Sequence, residues 1–181
     1  KEVAGLHYRT DLDLACHEKI SKKEMAINVD GKKFIPHVIE LSFGIDRNIF
    51  ALLDICYKQD KERTLFSFPR LLSPFDCAVF PLLKKNDLSE KALEIKTMLK
   101  KSGFSTFYDD SGSIGRRYRR MDEIGVPICI TIDHKTLEDD TVTIRDRDSM
   151  KQVRTNIRYI ESKMKSFVHG DKIEDLGELV K

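Results

Sequence analysis

A nearly continuous apolar run at residues 126–132 is the feature that most constrains how this chain can fold. Such a run is typical of a strand that other elements cover on both faces. Residues 77–83 and 104–108 form shorter apolar segments, and residues 88–99 between them carry apolar side chains at helical spacing. Strands that alternate with helices indicate an α/β domain with at least some parallel pairing.

The same alternation continues towards the C-terminus. Residues 115–124 are predicted to form a short helix, and residues 141–144 alternate as a half-buried strand does. Ser149 is predicted to cap a long helix, because an apolar stripe runs from Met150 to Phe167. This part of the chain is therefore expected to be a mixed-sheet α/β domain with about three helices.

A boundary between two domains is predicted before this α/β pattern. Residues 58–63 form a polar run, and Pro69 and Pro74 follow it. Each proline moves the residue before it out of the helical conformation, so a helix is not expected to cross this stretch. We therefore predict one domain over residues 1–70 and a second over residues 71–181.

Charge and cysteine content exclude several classes of protein. The 32 basic and 30 acidic side chains nearly cancel, which excludes binding of nucleic acid through bulk positive charge alone. No apolar stretch reaches the ~20 residues that a membrane span needs. The cysteines never approach CxxC spacing, so we predict reduced thiols and no metal site.

A strand that leads through a glycine into a helix carries the first candidate site. Glu40 and Ser42 stand two residues apart on a predicted strand, so their side chains share one face. Gly44 allows close approach of the backbone, and Arg47 follows in a helix predicted over residues 46–57. A carboxylate, a hydroxyl and a guanidinium suit a small zwitterion beside a nucleotide. An ordinary strand–helix corner held by an ion pair is the alternative.

Residues 40–47 resemble motif 3 of the class II aminoacyl-tRNA synthetases, in the version of the glycyl-tRNA synthetases. Residues 5–14 are similar to the segment that precedes this motif in that family. Three further segments resemble its anticodon-binding domain, namely residues 109–118, 122–126 and 145–150. The resemblance implies the end of a class II antiparallel catalytic sheet, followed by the anticodon-binding domain.

The resemblance also implies roles for residues of the first domain. Arg47 would pack against ATP as the catalytic arginine, with Glu40 also at the ATP site. Glu40 and Ser42 would hold glycine, and Arg9 would meet the glycine carboxylate. ATP would arrive with Mg²⁺. Asp46 stands where the wider class has glutamate, a change that keeps the charge.

Arginines that follow Gly115 form the second candidate site. They occupy the first turns of the helix predicted over residues 115–124, and they are Arg116, Arg117, Arg119 and Arg120. Cations at a helix start can contact RNA phosphates, and Arg116 and Arg117 are the predicted tRNA contacts. The sequence leaves a second interpretation equally open, in which neighbouring aspartates bind the arginines in an internal cluster.

The third candidate site is the alternating segment Arg145, Asp146, Arg147 and Asp148. By the resemblance it faces the anticodon of tRNA(Gly), whose second and third letters are both cytosine. Arginines can stack on or hydrogen-bond to unpaired bases, so Arg145 and Arg147, with His134, are the predicted base contacts. A lattice of structural salt bridges is the alternative.

The resemblance thus implies a glycine–tRNA ligase that uses glycine, ATP and tRNA(Gly), as a cytoplasmic homodimer without membrane contact. Only eight residues precede Arg9, which leaves no room for motifs 1 and 2, so the isolated chain is expected not to activate glycine. Two alternatives stay open. One is a non-catalytic nucleic-acid-binding paralogue, such as a DNA polymerase accessory subunit. The other is a sister class II enzyme for proline, threonine or histidine.

Overall fold

The computed structural model of the chain describes residues 2–60 and 63–180. They divide into two compact units, of which the first ends at Asp54 and the second begins at Ile55. None of the helices in these described ranges combines the length and apolar character that a membrane span requires.

The first unit is built around an antiparallel pair of strands. Its described elements follow one another as β1 (Ala4–Thr10), α1 (Leu12–Ser21), β2 (Ile27–Val29), β3 (Lys32–Phe34), β4 (Val38–Phe43) and α2 (Ile45–Cys56). Strand β1 pairs with β4, and β2 pairs with β3 through a turn at Asp30–Gly31. The predicted order of strand, Gly44 and helix is confirmed, and Gly44 lies between β4 and α2.

The β1–β4 pair has two different faces, because side chains alternate along each strand. Leu6 lies opposite Leu41 and Tyr8 lies opposite Ile39, which places these four side chains on one face. All four are exposed in the first unit. The residues between them form a second face that is polar and carries the candidate ligand-binding residues.

The second unit is an α/β layer around a six-stranded sheet with the strand order β12-β11-β10-β9-β7-β8. Its described elements are β5 (Tyr57–Gln59), β6 (Thr64–Phe66), β7 (Cys77–Pro81), α3 (Asn86–Lys101), β8 (Thr106–Tyr108), α4 (Ile114–Ile124), β9 (Ile128–Ile132), α5 (His134–Asp139), β10 (Thr141–Asp146), β11 (Gln152–Asn156), α6 (Ile160–Val168) and β12 (Glu178–Leu179). Strand β7 pairs in parallel with β8 and β9, whereas β9, β10, β11 and β12 pair antiparallel. The predicted mixed α/β sheet is confirmed.

Helices cover both faces of this sheet. On one face, α3 and α6 bury their apolar stripes against alternate residues of β7, β9 and β10. On the other face, Met121 of α4 packs against Ala78, Phe80 and Cys129. Burial on both sides explains why residues 126–132 are apolar at nearly every position.

The long helix predicted from Ser149 is wrong, because this stretch begins as a strand. Residues 152–156 form β11, and the helical pattern starts only with α6 at Ile160. Val153 faces Ile144 in the sheet core, as period-two alternation requires. Ser149 belongs to the turn before β11, where its backbone N–H and hydroxyl both donate to Asp146, at 2.8 and 2.6 Å.

The division between the units falls earlier in the chain than the predicted boundary at residue 70. Residues 55–60 and 63–70 belong to the second unit, and polar contacts hold this segment there. Arg63 donates to Asp122 at 2.9 Å, and Arg147 donates to the Phe68 carbonyl at 2.9 Å. Part of the polar run at 58–63, residues 61 and 62, lies outside the described residues.

Candidate ligand and RNA-binding sites

The polar face of the β1–β4 pair brings three predicted ligand-binding residues together. Gly5 lies opposite Ser42, and His7 lies opposite Glu40, so these side chains alternate with the apolar ones. Arg9 joins them from the end of β1, where its Nη1 lies 3.4 Å from Glu40 Oε2. Arg9, Glu40 and Ser42 therefore share one polar surface, which offers both a cation and an anion to a zwitterion.

Arg9 is also bound by a carboxylate that the sequence analysis did not single out. Asp13 accepts from Arg9 Nε at 2.6 Å and from Nη2 at 2.9 Å. The hydrogen bonds with Asp13, aided by its charge and that of Glu40, raise the pKa of Arg9 above its ordinary value. The same bonds lower the pKa of Asp13. Helical i,i+4 spacing does not explain this pair, because Arg9 lies in β1 and Asp13 in α1, so the sharp turn between the two elements brings them together.

Gly5 stands at a crowded point of the polar face. A Cβ atom built at residue 5 would lie 3.0 Å from Ser42 Oγ and would overlap the imidazole of His7. Both neighbours are polar side chains on the same face of the pair. The missing side chain at residue 5 is therefore what lets His7 lie close to the Ser42 hydroxyl.

Arg47 lies one step further along, in the first turn of α2. Its side chain runs beside Gly44, and Nη1 donates to the Glu2 carbonyl at 2.7 Å. Ser42, Gly44 and Arg47 line the same shallow depression. Ser42 thus lies on the polar face with Glu40 and Arg9, and it also lines the depression beside Arg47.

The residues predicted to contact tRNA separate into two groups at opposite ends of the sheet. Strands β7, β8 and β9 are parallel, so α4 and α5 both begin near their carboxyl ends, and we call this end of the sheet the carboxyl end. Arg116 and Arg117 start α4 there, and His134 starts α5. Arg145 lies opposite Cys129, near the start of β9 and thus at the other end.

Arg145 is buried in an ionic cluster, with only 6% of its surface exposed. Its two terminal nitrogens donate to the two oxygens of Asp122 at 2.9 and 3.0 Å, and Arg63 donates to the same carboxylate at 2.9 Å. The guanidinium also lies 4.8 Å from the centre of the Tyr118 ring. Both terminal nitrogens of Arg145 are thus bonded to a carboxylate inside the protein.

Arg147 is more deeply buried, with 2% of its surface exposed. It donates to the carbonyls of Gly125 and Phe68 at 2.7 and 2.9 Å and to Asp148 at 2.9 Å. Although burial opposes it, the hydrogen bonds from Arg147 hold the pKa of Asp148 below its usual range. The burial of Arg145 and Arg147 therefore favours the alternative interpretation, a lattice of structural salt bridges, over contact with anticodon bases.

At the carboxyl end of the sheet, Arg116 and His134 are exposed, whereas Arg117 is 2% exposed. No hydrogen bond or ion pair within the described ranges engages Arg116. Lys84, after β7, and Lys135, on α5, add two exposed ammonium groups at this end. The sequence analysis missed Lys84 because its position beside α4 depends on the strand order.

In the described part of the chain, no three His, Cys, Asp or Glu side chains stand close enough to hold a metal ion. The buried thiols of Cys77 and Cys129 face apolar surroundings, and burial raises the pKa of each. These thiols are therefore protonated packing groups rather than ligands or nucleophiles.

Comparison with known proteins adds an independent finding. The family model described as "Anticodon binding domain" matches residues 76–167. The chain is also 46% identical over 160 residues to the glycine–tRNA ligase of Aeropyrum pernix, and the aligned segment covers 87% of this chain and 27% of that protein. The corresponding ligase of Archaeoglobus fulgidus is 48% identical over 152 residues, 81% of this chain and 27% of the relative. That of Clostridium kluyveri is 49% identical over 163 residues, 86% of this chain and 35% of the relative.

The chain spans between about a quarter and a third of the length of these curated relatives. The matched family segment runs from the residue before β7 to the last turn of α6 and so takes in most of the α/β layer. Because the family model covers half of the chain, and glycine–tRNA ligases resemble the chain over most of its length, this protein belongs to the anticodon-binding domain family.

Proposed function

We propose that this chain is the part of a glycine–tRNA ligase that binds the anticodon arm of tRNA(Gly) and supplies one wall of the glycine and ATP site. The observation that carries the proposal is 46–49% identity to glycine–tRNA ligases across both units of the chain. The whole protein would be a cytoplasmic homodimer, as the sequence resemblance implies.

The carboxyl end of the sheet is the RNA-binding surface in this proposal. Arg116, Lys84 and Lys135 are exposed there and can meet phosphates, and the exposed His134 is the predicted base contact. Helix α4 begins at this surface without a side-chain cap on its N-terminal N–H groups. Such N–H groups, with the positive end of the helix dipole, favour an anionic partner.

The polar face of the β1–β4 pair serves glycine in this proposal. Glu40 neutralises the ammonium, Arg9 meets the carboxylate, and Ser42 adds a hydroxyl on the side of Glu40 away from Arg9. Selection is by size, because glycine has no side chain to grip and only a pocket too small for larger residues can select it. Arg47, at the adjoining depression, meets ATP, which arrives as its Mg²⁺ complex.

The chemistry that these groups serve has two steps. The glycine carboxylate attacks the α-phosphorus of ATP, which forms glycyl-adenylate and releases pyrophosphate. A hydroxyl of the terminal adenosine of the tRNA then attacks the glycyl carbonyl and displaces AMP. No protein nucleophile is needed, so the residues of this chain act by orientation and charge.

Binding of anticodon arms by the full 181-residue chain tests the proposal. We expect a labelled tRNA(Gly) anticodon arm to bind roughly 5- to 150-fold more tightly than arms with the second or third anticodon letter changed, since each specific base contact contributes roughly 1–3 kcal/mol. Fluorescence anisotropy at fixed salt measures this ratio. Equal affinities for all arms would contradict anticodon reading, and no binding would contradict the RNA-binding role itself.

A further inference from the structure

The loop between β8 and α4 is held by two arginines that reach back to it from α4. This loop, residues 109–113, leads directly into the first turn of α4, where Arg116 is exposed. Arg120 donates to Asp109 and to the Ser111 carbonyl, the latter at 2.6 Å. Arg117 donates to the carbonyls of Gly112 and Asp110, at 2.7 and 3.3 Å. The two arginines thus bind alternate residues of one loop.

Arg117 differs from Arg120 because it also anchors the loop to the sheet. Its Nη1 donates to the carbonyl of Pro81, the last residue of β7, while Nη2 binds the loop. In the described part of the chain its hydrogen bonds all go to backbone carbonyls, and Nε is buried without a partner. A planar guanidinium can join three carbonyls at fixed angles, whereas a lysine ammonium cannot reproduce that fork.

The placement of Arg117 excludes it from the surface that an RNA phosphate can reach. With 2% of its surface exposed, it has no room for a direct contact, whereas Arg116 beside it is exposed and unpaired among the described residues. Arg116 lies in the first turn of α4, which directly follows the loop, and its side chain passes beside Gly112. The position of Arg116 therefore depends on the loop that Arg117 holds.

We infer that Arg117 is a positioning residue for RNA binding, one that acts through Arg116 and never touches RNA. This inference rests on the proposed function, since it names how the RNA-binding surface is kept in its binding conformation. If the loop opens, only the fraction of molecules with the loop closed binds, and the apparent dissociation constant rises by the inverse of that fraction.

Salt dependence separates positioning from contact. A cation that neutralises a phosphate releases counterions, so its removal makes the negative slope of log affinity against log salt shallower by roughly 0.7–0.9. Removal of a positioning residue leaves the phosphate contacts of the bound state intact, and the slope stays unchanged while affinity falls. A phosphate contact and a positioning residue therefore differ in the salt slope of their variants, even when the two variants lose the same affinity.

The test compares matched variants of the full chain, with the labelled tRNA(Gly) anticodon arm as the probe, over roughly 50 to 200 mM salt. Arg116→Gln is expected to make the slope shallower by roughly 0.7–0.9, and Arg116→Lys to keep it, because a phosphate contact needs only charge. Arg117→Gln and Arg117→Lys are both expected to weaken binding while keeping the wild-type slope. If either variant leaves the loop closed in one molecule in ten, binding weakens about tenfold.

Hydrogen exchange of residues 110–116 supplies a readout independent of RNA. Arg117→Lys is expected to speed exchange in this segment more than in the core strand β9, since the local tether is lost. Should the Arg117 variants fail to fold, Arg120→Gln replaces them. Its side chain is 40% exposed, and it holds the same loop.

Two results would overturn the inference while leaving the proposed function standing. One is a slope that is shallower by roughly 0.7–0.9 in Arg117→Gln, which would make Arg117 a phosphate contact. The other is wild-type affinity in Arg117→Lys, which would show that charge alone suffices. Failure of the wild-type chain to bind the anticodon arm would instead overturn the proposed function.

Discussion

Replacement of Asp122 by asparagine is expected to lower the free energy of unfolding of the second unit by about 3–5 kcal/mol. Asp122 is 1% exposed and accepts hydrogen bonds from both Arg145 and Arg63, at 2.9 to 3.0 Å. An asparagine side chain has nearly the same volume but no charge, and it turns an N–H group towards one of the two guanidinium groups. Two buried cations then lose the carboxylate that compensates them.

Chemical unfolding followed by far-ultraviolet circular dichroism measures this loss. Asp140→Asn is the matched control, because the ion pair of Asp140 with Lys91 is long, at 3.7 Å, and the Asp140 side chain is 71% exposed. Asp140 also adopts a φ of +54°, which asparagine tolerates. We expect the control to change stability by less than 0.5 kcal/mol. A loss below about 1 kcal/mol for Asp122→Asn would contradict the prediction, because it would show that the two guanidinium groups do not depend on this carboxylate.

The alternation of apolar segments was sufficient to predict the α/β layer, since residues 126–132 can be apolar throughout only if both faces of the strand are covered. Residues 149–168 show where this reasoning fails. Val153 satisfies a helical stripe and a strand alternation equally well, and only its pairing with Ile144 decides for the strand. Local patterns do not contain that tertiary information.

The candidate sites divide in the same way. Glu40 and Ser42 could be placed on one face from their spacing alone, because strand periodicity is strict. The burial of Arg145 and Arg147 could not be predicted, since alternation says which side a residue faces but not what lies on that side. Their partners are Asp122 and the carbonyls of Gly125 and Phe68. These groups come close to the two arginines because α4 and residues 63–70 pack there, which is tertiary information.

Gly125 closes α4 at a crowded point, and Gly125→Ala is expected to destabilise the second unit by about 2–5 kcal/mol. Its φ of +88° is a left-handed conformation that costs an alanine roughly 1–2 kcal/mol. A Cβ atom there would also overlap the Phe68 ring, 2.7 Å from Cε2, and would approach the Phe66 carbonyl to 3.0 Å. Relief of that overlap means moving a buried ring in the segment that Arg147 holds, at about 1–3 kcal/mol.

Gly103→Ala separates the two costs, because Gly103 shares the left-handed conformation, at a φ of +93°, but has open space where the Cβ would lie. The control is therefore expected to lose only the conformational part, roughly 1–2 kcal/mol, and the difference between the two variants measures the overlap with Phe68. Urea unfolding of both variants gives this difference directly. Equal losses at the two positions would mean that Phe68 moves aside at no cost, and that the contact between residues 66–68 and the end of α4 is looser than the geometry indicates.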